Sequence, residues 1–298
     1  MASSTAPACD VLVIAADVAG LLAAIDCARI GLRVDVRLTP NPSTVSVFSN
    51  RDGVVAAACD ELQVAYEVSA PAEGEYVLAG IPGNPFSTYV RSRVGWGGAW
   101  RVYLDRIKPV LTIGNETSFG RLVRQRLGDN MAEALVQPAV TELYQRTIDE
   151  LLVDQVAPGL AQAMTRGGSL TTGVLELVAA DPRVAQTITP AGGADALRDA
   201  ALQSLRYWGA TVTETTSSKL EKGLGKLVAS ANAVLCDPRL VELPAKVAAE
   251  RVAFVGVTAE NPGLESAIPA SRDAAAGIRR VLLSDPENPP IGPVEFAH

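Results

Sequence analysis

The chain opens on a continuous apolar run, Val11 to Ala15, followed by a segment from Val18 to Arg29 that is apolar all round. A short unbroken apolar run suits a strand buried on both faces. The longer segment suits a buried helix, closed by Gly31. Leu32 to Leu38 then reads as a second strand. Strand, helix and strand in this order predict a βαβ unit, and so a parallel sheet with a right-handed crossover. Residues 39–46, rich in Pro, Ser and Thr, read as loop. Glu75 to Ala79 predicts a strand running into a turn at Gly80–Asn84. From Thr117 onward helical patterns dominate. The first is capped by Thr117 or Ser118 and ends at Gly128. A second covers 129–145 with a kink at Pro138, and shorter ones cover 155–164 and 169–178. The pattern then turns back. A helix over 194–208 precedes strands at 210–213, 233–236 and 251–255, and a last helix over 264–283 is interrupted by Pro269. No internal repeat is present.

Composition narrows the chemistry. With 298 residues, 48% of them hydrophobic, the chain has enough apolar surface for one large domain or two modest ones. The net charge of −7 has no basic block within it, which argues against a nucleic-acid partner. The one histidine, His298, is the last residue. A Ser-His-Asp or Cys-His mechanism therefore has no internal base, and a His-ligated metal site is not expected. Cys9, Cys27, Cys59 and Cys236 form no CxxC pair and read as free thiols of a cytoplasmic protein. The segment MASSTAPACD lacks the basic stretch of a signal peptide. Asp17, Asp26 and Arg29 interrupt the apolar opening, so no transmembrane segment is expected.

Several stretches together carry a resemblance. They are Val11–Leu38, Leu127-Gly-Asp, Leu135-Val-Gln-Pro138, Glu142-Leu-Tyr144, Pro158–Ser169, Thr189-Pro-Ala-Gly-Gly-Ala-Asp-Ala-Leu197, Ala231-Asn-Ala-Val-Leu-Cys-Asp-Pro238 and Arg251–Ala276. In this order the chain resembles the flavin amine oxidase and protoporphyrinogen oxidase family. The resemblance implies an α/β fold: a Rossmann-like FAD/NAD(P)-binding domain with a parallel sheet, plus a reduced, mainly helical substrate-type domain. The expected division is 8–72 with 186–283 for the first, 73–185 for the second, and an extended tail over 284–298.

The departures from the family pattern are informative. Its GxGxxG falls on Ala15, Asp17 and Gly20. Gly20 keeps the position of close helix–strand packing. At Asp17 a carboxylate stands where backbone would approach a diphosphate. At about 4 Å and an effective dielectric near 20, that repulsion is about 4 kcal/mol, or about a thousandfold in affinity. Asp17 also stands where a helix N-cap belongs. The ribose-binding acid is replaced by Leu38, and the family's Gly-Asp before its last flavin helix by Gly256-Val257. The chain is shorter than the family's usual length, the missing piece falling between Asp237 and Arg251. Ala15, Asp17, Gly20, Leu38, Gly256 and Val257 thus read as a vestigial site, and no cofactor is expected, with FAD reserved for the alternative that contacts are atypical.

Other residues invite a pocket reading. Trp96, Trp100, Arg101 and Tyr144 are candidates to line one, against a plain reading in which Gly95–Trp100 is a glycine-containing hairpin covering the core. Asp17 with Glu260 is the candidate acid–base pair if non-redox chemistry persists. Three functions follow as expectations. The first is a flavin-free relative acting as a ligand-binding or partner subunit, with a protein partner or homo-oligomer. The second is a cofactor-independent enzyme acting on a small hydrophobic metabolite. The third is an FAD-dependent oxidoreductase with atypical contacts.

Overall fold

The computed structural model describes residues 8–40, 45–107, 118–243 and 249–284. The chain divides into two compact units: residues 1–44, 58–65 and 191–298 in unit 1, and residues 45–57 and 66–190 in unit 2. The chain therefore first enters unit 2 at Val45, ahead of the boundary at 73 that the sequence suggests. The tail expected over 284–298 lies, beyond Ser284, outside the described residues.

Unit 1 is built on a five-stranded sheet. Its strands are β1 (Cys9–Ala15), β2 (Val34–Leu38), β3 (Thr211–Glu214), β4 (Ala231–Cys236) and β5 (Val252–Phe254). The order across the sheet is β5-β4-β1-β2-β3, and every pairing is parallel. This is an α/β architecture, a parallel sheet in the strand order of a doubly wound fold. Because β1 is central, both of its faces are covered and it can be apolar throughout. Leu12 and Ile14 join Val234 against Leu220, Leu224 and Val228 of a helix over Ser217–Ala229, an element that the sequence reading left unassigned. Helix α1 (Val18–Ala28) is buried at every position except Asp26, as its all-round apolar character requires. It packs against α2 (Gly193–Tyr207) and α3 (Leu264–Ser284). Pro269 lies inside α3 without ending it, so the interruption expected there does not occur.

Unit 2 is mainly helical, with a three-stranded antiparallel sheet formed by Phe48–Ser49, Thr187–Pro190 and Tyr66–Ser69. Its core gathers Phe119, Leu127, Leu135, Ile148, Leu151 and Leu170 with their neighbours. Ser118 caps the helix Phe119–Leu127, its hydroxyl accepting from the Arg121 N–H. The expected kink at Pro138 takes the form of a π-helical segment, Ala132–Val136, just before the helix Gln137–Tyr144. The expected strand over 75–79 is present in shortened form as Val77–Leu78, which runs into a turn and pairs with Ile81–Pro82. Gly95–Trp100 is not a hairpin either. It lies within a helix, Thr88–Tyr103, capped by Ser87, and Gly95 breaks the helical path there with φ of 66°. A positive φ is open to glycine without strain, so one residue makes the kink between two helical stretches.

Candidate anion site at the start of α1

The residues singled out around the first turn of α1 meet at the carboxyl edge of the unit 1 sheet. Ala15 ends β1 and is paired with Leu38, which ends β2; both are buried. Gly20 sits directly on this edge, since a Cβ added there would lie 2.8 Å from the Ala15 Cβ. Its packing role thus follows from contact with β1. Leu38 is an apolar core residue, with no donor or acceptor on its side chain for a ribose.

Asp17 is the N-cap of α1, with φ −127° and ψ 171°. Its Oδ1 accepts from the Gly20 N–H at 3.2 Å. Its Oδ2 accepts from the Val257 N–H at 2.7 Å and from Arg239 Nη2 at 2.6 Å. Three donors from three segments thus converge on one carboxylate. Arg239 is in turn held by Asp237, through Nε to Oδ1 at 2.9 Å and Nη2 to Oδ2 at 2.5 Å. Asp237 is fully buried and follows β4, its N–H donating to the Ile14 carbonyl at 2.8 Å.

The loop after β5 fits closely against this group. Gly256 has φ of 96°, and its N–H donates to Ser271 Oγ at 2.9 Å. A Cβ at 256 would lie 2.9 Å from Asp17 Oδ2 and 3.0 Å from Asp237 Oδ2, so both conformation and space demand glycine.

Two carboxylates share one guanidinium, which leaves the cluster with a formal charge of −1. Burial pushes the Asp17 carboxyl above its ordinary range, with neighbouring Asp237 adding to this; the Val257 N–H and Arg239 pull the other way. Burial works against the charge on Arg239, but Asp237 and Asp17 outweigh it and its pKa is raised.

One buried polar group close by has no partner. The Thr39 backbone N–H donates to the Ala15 carbonyl at 3.1 Å, at this same edge. Its side chain is 1% exposed, and among the described residues its Oγ1 has no hydrogen-bond partner.

The other candidate residues are placed elsewhere. Glu260 is exposed in the loop that follows Val257. Trp96 and Trp100 project from the helix Thr88–Tyr103, 68% and 56% exposed. The Arg91 guanidinium lies 5.1 Å from the Trp96 ring centroid, and Trp100 stacks at a tilt on Tyr103. Arg101 is exposed, while Tyr144 is buried in the core of unit 2. Unit 2 does hold a cleft of about 310 Å³, but it is lined by other residues, among them Tyr89, Arg93, Leu135, Pro138 and Glu142. Among the described residues no group of three His, Cys, Asp or Glu side chains is placed to hold a metal ion, and no helix is long and apolar enough to cross a membrane.

Sequence reasoning missed Arg239 and Thr39. A signal for the first was present. A carboxylate capping a buried helix calls for a cation, although only the strand order shows that the segment after β4 supplies it.

No protein-family model and no curated protein sequence matches the chain. Solved structures similar to it include a candidate protoporphyrinogen oxidase from Exiguobacterium sp. 255-15, at 14% identity and a TM-score of 0.48, covering 70% of this chain and 53% of that one. An oxidoreductase from Methanosarcina mazei is 16% identical, with a TM-score of 0.36, covering 69% and 51%. Putrescine oxidase redesigned for cofactor binding is 13% identical as its triple mutant, with a TM-score of 0.36, covering 83% and 60%. The chain thus spans between half and three-fifths of these structures' own length. The expectation that no cofactor is bound is overturned by this group. Its members are oxidoreductases, and in the putrescine oxidases the redesigned feature is cofactor binding itself.

Proposed function

We propose that unit 1 binds a flavin dinucleotide through atypical contacts, in a protein related to the flavin oxidoreductases. The observation that carries this reading is the convergence of the Gly20 N–H, the Val257 N–H and Arg239 on one carboxylate at the N-terminus of α1. A backbone N–H at a helix start and another from the loop after β5, joined by a guanidinium, form an anion site of the kind that dinucleotide phosphates occupy. Its place outside the carboxyl ends of parallel strands supports the same ligand class. The donor set fits a phosphate oxygen once the Asp17 side chain turns away. The orphaned Thr39 hydroxyl offers one further polar contact. Bound flavin supplies hydride transfer; the residues of unit 1 bind and orient it.

Asp17 has a role as cap and counter-ion that accounts for its carboxylate, and its pairing with Glu260 as an acid–base couple gains no support from this arrangement. A partner-binding role is a second reading, favoured by the exposed Trp96 and Trp100 in unit 2. Sedimentation at rising concentration tests it: a protein that stays monomeric and retains no partner argues against it.

The test of the main reading is a visible absorbance spectrum of the purified protein, followed by FAD titration of the wild type and of the double variant A15G/D17G. Removing the carboxylate should tighten FAD binding by about a thousandfold. A double variant that keeps its circular dichroism spectrum and takes up no FAD would overturn the reading.

A further inference from the structure

We infer that Arg239 is the phosphate-binding cation of this chain and that Asp17 is its built-in competitor. The inference rests on the reading of unit 1 as a dinucleotide-binding domain.

A helix N-terminus attracts anions through its free N–H groups and its dipole. Here a guanidinium is added. Arg239 reaches the first turn of α1 from the segment after β4, and the fully buried Asp237 fixes its direction through two of its nitrogens. The nitrogen it turns to Asp17, Nη2, stands 2.6 Å from Oδ2. That oxygen also receives the Val257 N–H. Oδ2 therefore occupies the position of an anionic oxygen held by one charged and one backbone donor, which is the pattern of phosphate recognition.

Independent of this cluster, Thr39 points to a ligand that is polar. Its hydroxyl is buried, lacks a partner among the described residues, and belongs to a residue bonded through its backbone to Ala15. Buried hydroxyls are almost always hydrogen-bonded. A ribose or phosphate oxygen at this edge would satisfy it.

Exchange between the two anions then follows without a net change in donors. When the Asp17 side chain rotates outward, the Gly20 N–H, the Val257 N–H and Arg239 become available together. Asp237 remains bonded to Arg239 through Nε and Nη2, so the guanidinium keeps its orientation while Nη2 exchanges Asp17 for the ligand oxygen.

The experiment is isothermal titration of inorganic pyrophosphate, ADP and FAD against four proteins: wild type, D17G, D17G/R239Q and D17G/D237N/R239Q. The last removes the arginine together with the buried carboxylate it would leave unpaired, in case the double variant does not fold. The added T39V change in D17G separates sources: weaker ADP with unchanged pyrophosphate marks a ribose contact, and weakening of both marks a phosphate contact. Binding of pyrophosphate should be about tenfold or more tighter in D17G than in wild type, and should fall by about tenfold or more when Arg239 is replaced. Equal binding to wild type and D17G would overturn the competitor role. FAD binding to D17G that ignores Arg239 would overturn this inference and leave the flavin reading standing. Arg239-dependent pyrophosphate binding without FAD binding would do the reverse. A folded D17G that binds none of the probes would overturn both.

Discussion

Replacing Gly20 by alanine tests how the first turn of α1 is fitted to β1. The added Cβ would lie 2.8 Å from the Ala15 Cβ and 3.5 Å from Val255 Cγ2. The first neighbour is fixed to a central strand and cannot swing aside. Overpacking of this kind costs about 1–3 kcal/mol. Against it stands the gain of alanine over glycine in a helix, about 1 kcal/mol. G20A should therefore be destabilised by up to about 2 kcal/mol. A15G alone loses a buried methyl, about 0.8 kcal/mol, and adds glycine to a strand, about 0.5–1 kcal/mol. The double variant A15G/G20A removes the clash, so it should be no less stable than A15G. The double-mutant cycle then gives a coupling of about 1–3 kcal/mol. G277A is the control: a Cβ there meets nothing within 4 Å in the same unit, so it should be neutral or stabilising. Urea denaturation of the four proteins and the control measures all of this. If the two changes add to within about 0.5 kcal/mol, the Ala15–Gly20 contact is not what holds residue 20 to glycine, and the packing argument fails.

Three further outcomes are expected. Asp105 is fully buried in unit 2, taking Arg126 Nε at 2.6 Å and the Thr171 N–H at 2.9 Å, so D105A strands a cation and should cost about 3–5 kcal/mol; in urea denaturation D105A/R126M should lose less than D105A, and a loss below about 1 kcal/mol in D105A would contradict this. All four cysteines are buried, and burial raises Cys9 and Cys59 to about 11 and Cys27 and Cys236 to about 12. A thiol-specific chromogenic reagent at pH 8 should therefore react slowly with the native protein and with all four thiols after denaturation; fast native reaction would refute the placement. Since burial in the folded state raises the Asp17 carboxyl above its ordinary value of 3.8, folding favours its protonated form, so the stability of wild type minus that of D17N should fall as pH rises through the window above 3.8. A difference that is flat or rises across that window would show that the ion pair with Arg239 outweighs burial.

The parallel sheet was legible because β1 and α1 are apolar on all sides, a pattern that only a central strand and a covered helix sustain. The segment over 88–103 was not. Its closely spaced glycines, Gly95, Gly97 and Gly98, and its aromatics suggest a hairpin by local chemistry, yet Ser87 caps a helix there and Gly95 absorbs the break in a single residue. The short strands of unit 2 were hidden for a different reason. Phe48–Ser49 and Tyr66–Ser69 are defined by pairing with Thr187–Pro190, more than a hundred residues away, and pieces of two to four residues carry no periodicity of their own. At the site, the sequence placed Asp17 where a helix N-cap belongs, which is where the structure has it. It did not reveal Arg239, because only the order of strands brings the end of β4 beside the end of β1.

That adjacency changes what the carboxylate at Asp17 means. A buried helix start needs a partner for its free N–H groups and for the positive end of its dipole. In a dinucleotide-binding domain the ligand phosphate can fill that need, and α1 has no acidic residue of its own in the first turn. Asp17 fills it from within the chain, at the expense of a second buried negative charge beside Asp237, and Arg239 offsets one of the two. A domain arranged in this way is complete without its ligand and must give up three hydrogen bonds to accept one. On the proposed reading, affinity for a dinucleotide would be set by the difference between two anions at one site, so a change at Asp17 should alter binding far more than it alters the fold. Substitutions at Gly256 should do the opposite, since a side chain there would press on both carboxylates whether or not a ligand is present.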